Sequence, residues 1–321
     1  MTIAGKTFKN LKSVVSLFLL IFLCVSCFPG KSELFLKGIE NYNDGKYRSA
    51  INLFDEAILR DPGNAELYYY RARAKIQTGD CTGAGDDYSR AIVLDNSVGE
   101  YFINRGLARI SCSNYSEAIL DFDYALVQDP ENSQIYFNRA YAKELMEDYP
   151  AALDDYNTAI EIDSSNFTYF INRGILYSIL IRPQNAIEDF TKAISLNSKS
   201  ALAYKNRGDE YVQLSKIAKA VEDYSKAIMI EPSNSDLYYS RAEARIKMNE
   251  FLSAVVDYTN IISIDSTDAT AYYNRGICYA NLNMKENACD DFVKSGELGF
   301  YEAYQVIKEY CGEQKEVKKK K

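Results

Sequence analysis

Large and small apolar residues return along the chain at a fixed interval. Written from Lys31 in rows of 34, the sequence fills eight rows without insertion or deletion: 31–64, 65–98, 99–132, 133–166, 167–200, 201–234, 235–268 and 269–302. The fourth position is large (Leu34, Tyr68, Phe102, Tyr136, Phe170, Tyr204, Tyr238, Tyr272) and the eighth is Gly or Ala. The twentieth is always Ala, from Ala50 to Ala288, and the twenty-fourth is always aromatic, from Phe54 to Phe292. Positions 4, 8 and 11 share one face of a first helix; positions 20, 24 and 27 share one face of a second. Small residues at 8 and 20 let two helix axes approach, and the aromatics fill the space beside them. Pro62, Pro130 and Pro232 end second helices at position 32, while Pro150 and Pro183 fall where a helix start tolerates proline. Such a helix pair cannot bury its own apolar face, so neighbours must stack.

These columns resemble, residue by residue, those of the tetratricopeptide repeat, over most of the chain. The resemblance implies an all-α, right-handed superhelical solenoid of eight helix pairs. Residues 300–312, with Phe300, Tyr304, Ile307 and Cys311 at helical spacing, predict a capping helix over the last pair, and residues 313–321 a solvated basic tail.

Two charged columns run through the array. Position 7 is Arg in rows two to eight (Arg71, Arg105, Arg139, Arg173, Arg207, Arg241, Arg275) and position 23 is Asp in the same rows (Asp87, Asp121, Asp155, Asp189, Asp223, Asp257, Asp291). Row one has Lys37 and Leu53 there. Because the columns appear and vanish together, they predict a ladder of ion pairs that fixes helix register, the alternative being a ligand-binding arginine row.

The resemblance also implies that first helices line a concave groove, faced by positions 2, 5, 9, 12 and 13. On this sequence that places Tyr69, Ile103, Leu107, Phe137, Tyr141, Ile171, Ile175, Lys205, Tyr239 and Tyr273 in a partner-binding groove, most apolar in rows three to five. An apolar strip of that length predicts a protein or peptide partner with apolar anchors; the alternative is packing between adjacent first helices. The carboxylate clamp by which some members of the family hold a chaperone tail requires Lys at 5 and Asn at 9. Here Lys205 is followed by Asp209, and the clamp is not expected.

The ends and the composition add location and exclusions. Residues 1–26 carry Lys6, Lys9 and Lys12, then an apolar run from Val14 to Val25, the layout of a signal peptide and too short for a permanent membrane span. Cys24-Val25-Ser26-Cys27 resembles a bacterial lipobox, with Cys24 where Leu is usual. It implies lipid on Cys27, a tether over 27–30, and an extracytoplasmic, membrane-anchored lipoprotein on the periplasmic or cell-surface side; plain cleavage or an uncleaved anchor are the alternatives. Removing the three lysines shifts the formal charge from −8 to −11, a surface that repels nucleic acid. The chain has no His, which excludes Ser-His-Asp and Cys-His catalysis and the commonest zinc ligand. Carboxylates such as Asp86-Asp87 and Asp154-Asp155 follow the repeat, and signal, repeats, cap and tail leave no stretch for a catalytic domain. The expectation is a scaffold: no enzyme, no cofactor, no metal, no small-molecule substrate. A regulatory, assembly or secretion accessory without lipid is the alternative form. Export permits disulfides. Cys289 with Cys311, and Cys81 with Cys112, are the candidate bridges, ordinary unpaired cysteines being the alternative; Cys278 is expected as a buried thiol.

Overall fold

The computed structural model describes residues 32–312, and these divide into two compact units, 32–131 and 132–312. The signal peptide, Cys27, the tether, Lys31 and the basic tail lie outside the described residues. In the first unit, α1 (Glu33–Asn43) pairs with α2 (Tyr47–Arg60), α3 (Ala65–Gln77) with α4 (Cys81–Leu94), and α5 (Gly99–Ser111) with α6 (Tyr115–Gln128). In the second, the pairs are α7 (Ser133–Leu145) and α8 (Tyr149–Ile162), α9 (Phe167–Ile179) and α10 (Pro183–Leu196), α11 (Ala201–Gln213) and α12 (Ile217–Ile230), α13 (Ser235–Lys247) and α14 (Phe251–Ile264), and α15 (Ala269–Asn281) and α16 (Lys285–Glu297). The described residues are thus all-α, in consecutive helix pairs typical of a tetratricopeptide-repeat solenoid. A short α17 (Glu302–Val306) runs into a π-helical turn, Ile307–Cys311, where the sequence predicts one continuous cap helix.

Local chemistry sets both ends of the helices. Asn64, Asn132, Asn166 and Asn234 each accept a hydrogen bond from an amide two residues on, at 3.1–3.2 Å, and so cap first helices. Ser200 and Asp268 do the same three residues on, at 3.3 and 2.9 Å. Every first helix then ends on a left-handed residue at position 15: Gly45, Gly79, Ser113, Glu147, Ile181, Ser215, Asn249 and Asn283, with φ between 55° and 84°. The amide after it returns to a carbonyl five residues back, as from Lys46 to Asn41 at 2.8 Å, and closes a Schellman turn. That turn reverses the chain within three residues and lays the second helix against the first.

The core follows the columns. All eight position-20 alanines are fully buried, and the position-24 aromatics are 0–2% exposed. Where position 8 is Gly, the aromatic ring of the same pair occupies the place of a side chain: a Cβ on Gly174 meets Phe190 Cε1 at 2.7 Å. Core clusters join consecutive pairs. Phe35 and Phe54 pack with Leu67 and Ala74 in the first unit, and Ala254 and Tyr258 with Ala271 and Cys278 in the second. Phe292 and Ala288 pack against Ala303 and Ile307, so α17 and the π turn cover the last pair.

Candidate functional site

The arginine and aspartate columns meet within each pair. In the first unit Arg71 and Arg105 reach Asp87 and Asp121; in the second, Arg139, Arg173, Arg207, Arg241 and Arg275 reach Asp155, Asp189, Asp223, Asp257 and Asp291, with N–O distances of 2.5–2.8 Å. Each aspartate is buried. The aromatic at position 4 covers one face of the guanidinium, 5.4–5.8 Å from ring centre to Cζ, as Tyr68 does for Arg71 and Tyr204 for Arg207. Each pair is formed within its own helix pair, the aspartate buried and the guanidinium largely so.

Two further columns complete this arrangement: position 11, read in the sequence only as part of a helix face, and position 25, which went unread. Position 11 supplies a second cation in four pairs: Lys75, Arg109, Lys143 and Arg245 meet the same aspartates at 2.6–2.8 Å. In three others it is Tyr177, Tyr211 or Tyr279, whose ring lies 5.8–5.9 Å from the guanidinium. Position 25 of the preceding pair offers an oxygen to Nη1. Arg71 reaches Asp55 and Arg105 reaches Ser89; in the second unit Asn157, Thr191, Ser225 and Thr259 receive Arg173, Arg207, Arg241 and Arg275, over a range of 2.6–3.1 Å.

The groove residues divide into core and surface. Tyr69 and Ile171 are 6% and 4% exposed, a correction to their expected place on an open strip. The Tyr69 ring lies tilted against that of Tyr101, centroids 5.2 Å apart, and its hydroxyl donates to the Glu100 carboxylate. Phe137 is half-buried on Tyr169 at 5.0 Å, and Tyr273 half-buried on Phe300 at 4.8 Å. Position 5 therefore fills the gap between neighbouring first helices. Ile103 and Ile175 are half-buried. Lys205 pairs with Asp209 at 2.7 Å, and the Tyr239 hydroxyl donates to Asp268 at 2.9 Å. Leu107 and Tyr141 stay open to solvent, at 40% and 41%.

Clefts recur at one register. In the first unit, Arg73, Ile76 and Gln77 of α3 face Asn104 and Leu107 of α5 across a cleft of about 270 Å³, with Tyr88 behind. In the second, Asp209, Val212 and Gln213 of α11 face Glu243 and Lys247 of α13 across about 240 Å³, with Tyr224 behind. Both use positions 9, 12 and 13 of one first helix and the following one. Sequence reasoning passed over Arg73 and Gln77, which occupy groove-facing columns 9 and 13 and were legible there. The Tyr224 hydroxyl donates to Asp209 at 2.7 Å, and burial, with Asp209 adding to it, holds its pKa well above the ordinary phenol value. Tyr156 donates to Glu144 at 2.8 Å; burial raises the pKa of Glu144, and this hydrogen bond works against the rise.

Cys81 is bonded to Cys112, and Cys289 to Cys311. The first bridge joins the start of α4 to the residue after α5; the second ties α16 to the π turn. Cys278 is a buried free thiol whose pKa burial pushes up to about 11. Among the described residues no cluster of His, Cys, Asp or Glu could hold a metal, and no helix is long and apolar enough to cross a membrane.

Tetratricopeptide-repeat profiles match residues 35–98 and 103–167, 167–200 and 269–296, and a further TPR-repeat profile matches 208–249. No curated protein matches the chain in sequence. Among solved structures, a tetratricopeptide repeat protein from Parabacteroides merdae is similar at a TM-score of 0.54 and 22% identity, over 76% of this chain and 97% of that one. The C-terminal part of a TPR repeat-containing protein from Cytophaga hutchinsonii is similar at 0.62 and 18% identity, over 75% and 98%. Identities of this size speak to the fold alone. With repeat matches from residue 35 to residue 296 and helix pairs throughout the described residues, the chain belongs to the tetratricopeptide-repeat family.

Proposed function

We propose that the chain is a non-catalytic scaffold, exported and tethered to a membrane by lipid on Cys27, that binds a segment of a partner protein along its first helices. The observation that carries the binding reading is the recurrence of a cleft at one helix register in each unit, over positions 9, 12 and 13. Leu107 lines the first cleft, and Tyr141, at the same position 9 in the second unit, is equally open, which supports apolar anchoring there. The basic start, apolar run and Cys27 of the sequence support export and lipid attachment. Service as an assembly or secretion accessory is one concrete form of this role.

A photo-crosslinking amino acid at Leu107 or Tyr141, used in native membranes with mass spectrometry of the products, tests the binding reading. Capture of the same partner from both sites, and not from Leu59 or Met229 on second helices, is the expected result. Equal capture from all four positions refutes it. Inhibiting lipoprotein signal processing with a globomycin-type compound tests the tether: a precursor accumulates if Cys27 is the lipidation site, and none accumulates if the signal is simply cleaved.

A further inference from the structure

One cation in the first-unit cleft lacks a counter-charge. Arg73 lies half-buried at position 9 of α3, its guanidinium 5.0 Å from the ring centre of Tyr42 and 5.6 Å from those of Tyr69 and Tyr70. Among the described residues no carboxylate forms an ion pair with it. The seventh-position arginines are different, since each has its buried aspartate. Lys75, two residues away, is already held by Asp87 at 2.8 Å. The cleft therefore offers one available positive charge. Around it stand neutral polar groups, Gln77, Asn104 and the Tyr42 phenol, and an apolar wall of Ile76 and Leu107.

This set matches one class of group. A single guanidinium is a planar fork suited to a carboxylate, and with five N–H donors it keeps some to donate beyond the one bonded to the Tyr42 side chain. A phosphate, with nearly twice the charge, finds no second cation here. The chain as a whole is acidic, with a formal charge of −8, so this cation stands out against its background. The apolar wall adds a seat for an aliphatic side chain next to the carboxylate. The clamp pattern is not involved, since that pattern has Asn where Arg73 stands.

We propose that this cleft takes an aspartate or glutamate side chain of a partner polypeptide, with a neighbouring aliphatic residue against Ile76 and Leu107. The inference rests on the reading of the first helices as a binding face, and it adds the charge of the occupant.

The test is fluorescence anisotropy on the full chain in detergent micelles. The probe is a labelled, end-blocked peptide of four Ser-Leu-Glu units, compared with its Ser-Leu-Gln twin. The acidic peptide is expected to bind about tenfold tighter, the size of one charge-assisted hydrogen bond. Arg73→Gln removes that preference and Arg73→Lys retains part of it. Asn104→Asp, close in shape to the native residue, places a carboxylate in the cleft and also removes the preference. Circular dichroism confirms that each variant is folded. Equal binding of the twins, a preference that survives Arg73→Gln, or failure of both peptides to bind overturns the inference. So does competition by free glutarate as effective as the peptide, which makes this a small-acid site. None of these results touches the crosslinking test, so the scaffold reading stands or falls separately.

Discussion

Neutralising either end of the Arg173–Asp189 pair, and then both ends, measures what the charge column contributes. Arg173 Nε and Nη2 lie 2.8 and 2.7 Å from the two Asp189 oxygens. Asp189 is 5% exposed, and burial holds its pKa above the ordinary 3.8 although Arg173 pulls the other way. A raised carboxyl pKa contributes stability below the unfolded value, and that contribution is lost as pH rises through the folded one. At neutral pH the desolvation of this aspartate therefore outweighs the attraction of its partner. Removing one partner leaves a buried charge uncompensated, so Arg173→Met and Asp189→Leu alone each cost about 3 kcal/mol. Removing both takes away the charge and keeps the volume, and the double variant lies within about 1 kcal/mol of the parent, or above it. The coupling energy of the cycle is then several kcal/mol. Urea unfolding followed by far-ultraviolet circular dichroism gives the global values. Hydrogen exchange at α9 and α10 amides gives the local ones, because stability in a repeat array is a sum of neighbouring terms. Additive losses, with coupling under about 0.5 kcal/mol, refute the reasoning.

Other positions give sharper local tests. Ile181 is β-branched, 81% exposed and left-handed at φ 55°, so Ile181→Gly is expected to stabilise the turn by about 0.5–1 kcal/mol, read as a rise in the urea midpoint. Glu210 is 3% exposed and its Oε2 has no hydrogen-bond partner, where the same column holds Ala74, Ala108, Ala142 and Ala244; Glu210→Ala should stabilise by about 1–3 kcal/mol, and a loss in thermal melting counts against this account. Cys278 keeps its proton to about 11, so its contribution to stability is present below pH 9.0 and lost as pH rises towards 11, and iodoacetamide at pH 8 should label it only in denaturant. Cys289→Ser with Cys311→Ser opens a bridge between residues 22 apart, at a cost of about 3 kcal/mol, and should expose the chain near Tyr301 to limited proteolysis.

The architecture was legible because period and residue size carry it. Columns 8, 20 and 24 demand close approach and a filling ring, and Ala50, Ala84 and Phe54 sit where those demands place them. Arg71 and Asp87 were legible as partners because they vary together, and their oxygen and nitrogen atoms do meet. Position 5 was misread at Tyr69 and Ile171 because it lies on the flank of its helix, next to the core stripe. Whether a flank faces solvent depends on the neighbouring helix, and Tyr101 is the residue that closes over Tyr69. The position-15 turn was invisible to a search for glycine, since only Gly45 and Gly79 mark it and the Schellman hydrogen bonds hold six non-glycine residues in the same conformation. Arg73 was passed over because it is the one basic residue in a column of apolar and acidic ones.

The Nη1 contact of the seventh-position arginine bears on how such a chain can change length. Its acceptors in the preceding pair are a carboxylate in Asp55, hydroxyls in Ser89, Thr191, Ser225 and Thr259, and an amide oxygen in Asn157. They differ chemically, yet each presents an oxygen at the same height on its helix. Any of these pairs can thus follow another and still satisfy the guanidinium. Duplicating or excising a pair inside a unit leaves no unmatched donor at the new junction. The joint is generic while the clefts are particular, so gene-level gain or loss of a pair alters which side chains a partner meets without disturbing the fit of one module on the next.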